Sequence, residues 1–187
     1  KRLKEILSMT KSRLQMRFLT AGHTTAALRA LSYTSPISKF KDLTSGIGYY
    51  EVVKHIEEHF DEEKESLIAE LKQLAKQLFR ADNMMLSFTA TKDGLVGMEE
   101  QVATLRRNLY SEPVSESDCV IQCVKRNEGF KTSSKVQYVA RAGNFLDAGY
   151  EYHGAFQILR VIMGYEYLWQ NVRVKGGAYG CMSQFSR

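Results

Sequence analysis

Apolar residues recur at helical steps through the first eighty positions. Leu3, Ile6, Leu7, Leu14 and Phe18 fall on one side of residues 1–20 and predict an amphipathic helix. After Gly22 an alanine-rich stretch, Thr24–Leu31, predicts a second helix that ends near Ser35-Pro36. Phe40, Leu43, Ile47, Tyr50, Val53, Ile56 and Phe60 step by threes and fours and predict a third. Asp61 suits the N-cap of a fourth. Glu62 and Glu63 then sit in its first turn, while Lys76 and Arg80 lie near its end, which complements the helix dipole. Leu67, Leu71, Leu74 and Leu78 form its expected core face.

The period then changes. Met84, Leu86, Phe88 and Ala90 alternate, so residues 83–91 read as a strand. Gly94 to Tyr110 returns to helical spacing through Leu95, Met98, Val102, Leu105 and Leu109. Ser111–Asp118 is polar, short and proline-bearing, and reads as a linker. Beyond it, 119–124 and 135–142 read as strands, 153–169 as a mostly buried helix and 178–185 as a strand. No internal repeat appears. A helix-rich first part and a mixed second part give an α+β expectation, with domains 1–114 and 115–187.

Composition adds little to that picture and removes several classes. Hydrophobic residues make up 44% and charged residues 25% of 187, the balance of a soluble globular protein. Two prolines argue against extended disorder. No apolar run reaches membrane-span length and no signal-peptide pattern opens the chain. Cys119, Cys123 and Cys181 make an odd count, which suits free thiols in a reducing compartment, cytoplasmic or organelle matrix. The net charge is +5. Residues 1–124 carry 17 basic and 17 acidic side chains, and residues 125–187 carry 9 and 4, so the excess lies in the last third. Such a surface can attract nucleic acid, an anionic membrane or an acidic peptide, or it can be a solvated face.

Two places carry candidate chemistry. Asn171-Val-Arg-Val-Lys-Gly-Gly-Ala-Tyr-Gly180 sets Arg173 and Tyr179 six positions apart around Gly176-Gly177. Arginine offers a rigid fork of donors for carbonyl or carboxylate oxygens, and tyrosine offers a neutral hydroxyl. Two glycines permit a sharp turn or a close backbone approach. The plain alternative is a helix-to-strand turn. His55-Ile-Glu-Glu-His59 spells H-x-x-E-H, in which two histidines on one helix face hold zinc and Glu58 activates its water. A third ligand is needed, and Glu128 and Glu151 lie in loop-like sequence. A solvated His/Glu helix face is the simpler reading. His23 and His153 each open a helix without a second ligand nearby and suit capping or packing. The cysteines lack CxxC spacing, the tyrosines do not interleave with Lys/Arg as in RNA-binding signatures, and no phosphate loop occurs.

Tyr165-Glu-Tyr-Leu-Trp169 followed by Asn171–Gly180 resembles the C-terminal half of insulinase/pitrilysin-family zinc metallopeptidases, on the presequence-protease branch. Supporting pieces are Gly22-His23 with Arg29-Ala-Leu-Ser-Tyr33, Gly46-Ile-Gly-Tyr-Tyr50 with Phe60-Asp61, Val136–Ala140, Ala142–Phe145 and Gly149-Tyr150. The resemblance implies a layered α+β fold of the LuxS/mitochondrial-processing-peptidase kind. It implies the end of a third peptidase-type domain over 1–114 and the opening of a fourth over 115–187. It makes the chain a fragment of an endopeptidase that degrades peptides in a closed chamber. The zinc would lie in the N-terminal half of that parent, and none would bind here, because residues 46–61 match a C-terminal-half segment rather than the zinc motif. Arg173 and Tyr179 would contact substrate and transition state, with Gly176 and Gly177 shaping the turn. Expected partners are a peptide and the parent's N-terminal half, with no nucleic acid and no membrane. Self-association through uncovered apolar faces of 153–169 is a further expectation. An inactive peptide-binding or structural subunit and a basic nucleic-acid-binding domain are the alternatives.

Overall fold

The computed structural model describes residues 2–114 and 119–186. It divides into two compact units, Lys1–Arg141 and Ala142–Arg187. The border expected near residue 115 adjoins residues 115–118, which lie outside the described residues.

The first unit is built on α1 (Arg2–Thr20), α2 (Gly22–Leu31), α3 (Pro36–Ser45) and α4 (Ile47–Glu58). In α1, Glu5 occupies the first turn and Arg17 the last, the order the helix dipole favours. This helix packs on α4. Phe18 meets Tyr50 edge to face at 5.1 Å, and Gln15 donates to the Tyr50 hydroxyl at 3.1 Å. Ser8 donates to Glu57 at 2.7 Å, and Lys11 pairs with the same carboxylate. Among the described residues, Leu14, Ile47, Val53 and Phe60 are the buried large apolar side chains of the unit. At the start of α3, Pro36 takes the first helical position and the Ser35 hydroxyl accepts from the Ser38 N–H at 3.1 Å.

The single helix expected across residues 40–60 is two helices. The break falls at Gly46 (φ −102°, ψ −151°), and the Asp42 carboxylate explains it. Asp42 accepts from the backbone N–H of Ile47 at 3.0 Å and of Gly48 at 3.3 Å. It thereby stabilises a fresh helix start, supplying the acceptor that the first N–H groups of α4 lack. The next helix, α5 (Phe60–Leu78), has His59 rather than Asp61 at its N-cap position. The His59 carbonyl accepts from Glu62 and Glu63 at 3.0 and 3.1 Å, which places Asp61 inside the first turn. Leu71, Leu74 and Leu78 of α5 are exposed, so its expected core face is not buried within this chain. The short helix α6 (Met98–Arg107) has Glu99 and Glu100 at its start and Arg106 and Arg107 at its end.

The α+β expectation is overturned. The described residues form a helical structure without a sheet, and their single β-bridge joins Arg80 to Tyr110. Residues 83–91, 119–124, 135–142 and 178–185 are irregular. Alternation supplies a face for a sheet, but a strand exists only when a neighbour completes its ladder of N–H and C=O pairs. Those four segments do not pair with one another.

In the second unit, α7 (Ala155–Ile162) runs directly into a π-helix, Met163–Lys175, whose turns are wider than those of an α-helix. The mostly buried helix expected over 153–169 is instead exposed, including Ile158, Leu159, Tyr165 and Tyr167. Phe185 packs against Phe145 at 5.2 Å and Phe156 at 5.0 Å, forming an aromatic group. His153 accepts from the Ala155 N–H through Nδ1 at 3.1 Å, which agrees with a capping role.

A Cβ added at Gly46 would lie 2.4 Å from Asp42 Oδ1, and one at Gly48 would lie 2.8 Å from Oδ2. Replacing Gly46 with Ala therefore forces the capping carboxylate to move. The expected destabilisation is about 1–3 kcal/mol in urea unfolding, the usual cost of overpacking. A variant as stable as the wild type would refute the close approach as a constraint.

Candidate functional site

The expected site occupies the end of the π-helix. Gly177 adopts φ +72°, a conformation glycine takes without strain. Its N–H donates to the Arg173 carbonyl at 3.0 Å, and the Ala178 N–H donates to the Val172 carbonyl at 3.2 Å. These nested bonds resemble a Schellman end with each bond one residue longer, as a π-wound terminus requires. Gly176 is confined for another reason: a Cβ there would lie 2.6 Å from the Val172 carbonyl oxygen. The turn leaves Tyr179 97% exposed. Arg173 lies over the Trp169 ring at 4.1 Å from its centroid, a cation–π contact that restrains the guanidinium on one helix face. Arg173 and Tyr179 are thus held by one capped turn, and no hydrogen bond joins them among the described residues.

The H-x-x-E-H letters lead to a different geometry from a zinc site. The His55 and His59 rings stack at 4.5 Å, but His55 Nε2 pairs with Glu63 at 2.8 Å and His59 Nδ1 faces the His55 carbonyl at 3.0 Å. Glu58 lies 3.9 Å from Lys54. Among the described residues, no group of three or more His, Cys, Asp and Glu side chains is placed to hold a metal ion. The described cysteines are free.

A second constellation was not anticipated, and it is the more densely bonded. Arg29 on α2 is buried at 8% exposure. Its Nη1 donates to Asp42 Oδ2 at 2.7 Å, and its Nε and Nη2 donate to the two Glu128 oxygens at 2.8 and 3.2 Å. Nε also lies 2.9 Å from the Tyr33 hydroxyl, which itself donates to Glu128. Glu51 stands 3.8 Å away, and Phe130 covers the guanidinium at 5.7 Å. Asp42 is fully buried. Burial pulls the Arg29 guanidinium down, but hydrogen bonds to Glu128 and Asp42 outweigh it and hold the group above its ordinary value. The hydrogen bond from Arg29 holds the Glu128 carboxyl below its usual range, against burial. Burial pushes the Tyr33 phenol up, and Glu128 adds to this. Beside the node lies an open cleft of about 500 Å³ whose walls include Lys39, Leu43, Val52, His55 and Arg126.

Signals for this node were present. Arg29 and Tyr33 are spaced i, i+4 across the end of the helix that the sequence predicts. Asp42 is the only acidic residue between Glu5 and Glu51, and Glu128 the only one between Asp118 and Asp147. Their partners, however, are 13 and 99 residues from Arg29.

Comparison with known proteins finds both constellations within segments that family models match. Residues 1–56 match the family described as Peptidase M16C associated, and residues 127–187 match the PreP C-terminal domain. Over 187 residues the chain is 34% identical to "Protein HypA" of Clostridium perfringens, covering all of this chain and 19% of that protein. It is 28% identical over 188 residues to "Presequence protease 1, chloroplastic/mitochondrial" of Arabidopsis thaliana, covering 98% of this chain and 17% of that protein. It is 25% identical over 209 residues to "Presequence protease, mitochondrial" of Mus musculus, covering 95% and 20%. The chain spans about a fifth of the length of these curated relatives. The class it resembles is that of the M16-type peptidases. Within that class the chain is similar to the C-terminal part of presequence-protease-like M16C proteins.

Removing the Asp42 carboxylate leaves a buried guanidinium and the α4 N-terminus without their acceptor. Asp42→Ala is expected to cost about 3–5 kcal/mol in chemical denaturation. The pH dependence follows from Glu128, whose folded value is lowered. Its contribution is complete above the unfolded glutamate value of about 4.3 and is lost as pH falls through the lower folded value. Melting temperature should therefore fall more steeply below about pH 4.5 in the wild type than in Glu128→Gln. Parallel curves would remove Glu128 from the account.

Proposed function

We propose that the chain is the part of a peptide-degrading M16C endopeptidase that supplies two contacts to the peptide, from Arg173 and Tyr179. The observation that carries this reading is their shared turn within residues 127–187, with Tyr179 exposed and Arg173 restrained on Trp169. In this reading residues 1–114 belong to the third peptidase-type domain and residues 115–187 to the fourth. The metal belongs to the parent's N-terminal half, and the substrate lies in a chamber between the halves. Relatives whose names place them in mitochondria or chloroplasts, together with free cysteines here, support a reducing matrix or cytoplasm.

The chemistry assigned to these residues follows from charge. Attack on a peptide carbonyl builds negative charge on its oxygen. A donor aimed at that position lowers the transition state more than the ground state. The Tyr179 hydroxyl is such a donor, and it carries no net charge that would favour an anionic ground state. The Arg173 fork donates to a neighbouring peptide carbonyl and holds the substrate in register. Gly176 and Gly177 act indirectly by fixing where both side chains leave the backbone.

In the full-length protein, Tyr179→Phe should lower kcat by about 10²–10³ with KM little changed, the usual cost of one oxyanion donor. Arg173→Ala should lower kcat/KM and weaken peptide binding. Circular dichroism and metal content should match wild type for both. Wild-type turnover by Tyr179→Phe would exclude the proposed role.

A further inference from the structure

The two family segments are separated in the chain by residues 57–126, which neither family match covers. In space they touch directly. Glu128 is the second residue of the 127–187 segment, while Arg29, Tyr33 and Asp42 all lie in the 1–56 segment. One guanidinium therefore bonds a carboxylate from each segment, Asp42 at 2.7 Å and Glu128 at 2.8 Å. Phe130 covers the same group from the second segment. A second contact stands apart from the charges. Gly22 is buried, and a Cβ there would lie 2.4 Å from Tyr138 Cδ2, so the Tyr138 ring rests on a position that must stay bare. His23 flanks that ring at 6.1 Å between centroids.

We propose that Arg29–Glu128 and Gly22–Tyr138 form a two-point clasp that docks residues 127–141 of the C-terminal segment onto α2 of the M16C-associated segment. Arg29 is then a positioning residue. It contacts no substrate in the reading above. It fixes the place from which the C-terminal segment sets out. The inference stands on this packing alone and does not depend on the peptidase reading.

The two points differ in chemistry, which gives the clasp its specificity. The charged point selects a carboxylate with bidentate geometry, and a lysine at position 29 has no planar fork to satisfy Asp42 and Glu128 together. The apolar point selects an aromatic ring against bare backbone. Either contact alone leaves residues 127–141 held at one end.

Native-state proteolysis of the full-length protein by trypsin tests the clasp, because cleavage reports local opening. Arg126 and Lys131 flank Glu128 and are natural cleavage positions. Glu128→Gln keeps the shape and removes the charge. It should speed cleavage at Arg126 and Lys131 by about tenfold or more, the scale set by losing a charge-assisted pair. Cleavage within α1, α3 and α4 should stay at the wild-type rate. Gly22→Val, which displaces Tyr138, should accelerate the same two cuts. Arg29→Met combined with Glu128→Gln should cleave no faster at these sites than Arg29→Met alone, since one interaction is removed in both. Unchanged cleavage in Glu128→Gln would overturn the proposal. So would acceleration spread equally through α1–α4, which would make the node part of the helical core rather than a clasp.

Discussion

A single buried guanidinium organises the first unit. Taking a charge out of water costs several kcal/mol unless bonded partners replace its hydration. Arg29 meets that demand with Asp42 from α3 and Glu128 from a distant segment, and with the Tyr33 hydroxyl from the turn after its own helix. Removing one partner leaves the others buried and uncompensated, so the group behaves as a unit. Its consequences extend past the charges. Asp42 can be fully buried because it also caps α4, accepting from Ile47 and Gly48. The same carboxylate therefore starts α4 and ties α2 to α3.

The glycines around that carboxylate show how local sequence and tertiary packing meet. Gly46 has a backbone conformation that any residue adopts, so its requirement is space and not φ. Side chains at 46 or 48 would collide with Asp42. Gly177 is the opposite case. Nothing crowds it, and its positive φ is what needs glycine. A glycine needed for space and a glycine needed for backbone freedom leave the same letter in the sequence, and only coordinates separate the two.

The second unit is organised by aromatic packing rather than charge. Phe185 folds back onto Phe145 and Phe156, and the Gln157 amide donates to the Phe185 carbonyl at 3.3 Å. The π-helix leaves much of its apolar and aromatic surface in water. Its end at Gly176-Gly177 nevertheless has closed hydrogen bonding, so the turn carrying Tyr179 is determined locally. That separation suits a contact residue, which needs a defined backbone and a free side chain.

Sequence by itself determined the features that depend on near neighbours. Helical periodicity located α1, α2, α5 and α6 to within a few residues, because the i, i+3 and i, i+4 faces are set by helix geometry. The arginine–glycine–tyrosine run marked the capped turn, and its letters carried the family resemblance. Three things were decided only by tertiary structure. The break at Gly46 depends on a carboxylate folding back from α3, so continuous apolar spacing across residues 40–60 could not reveal it. The alternating segments at 83–91, 119–124, 135–142 and 178–185 form no sheet, since a strand is a property of a pair and its partner is not encoded in its own alternation. The Arg29 node joins residues 99 apart, and the identity of a buried charge's partner is settled by which side chains the fold brings within reach of its donors.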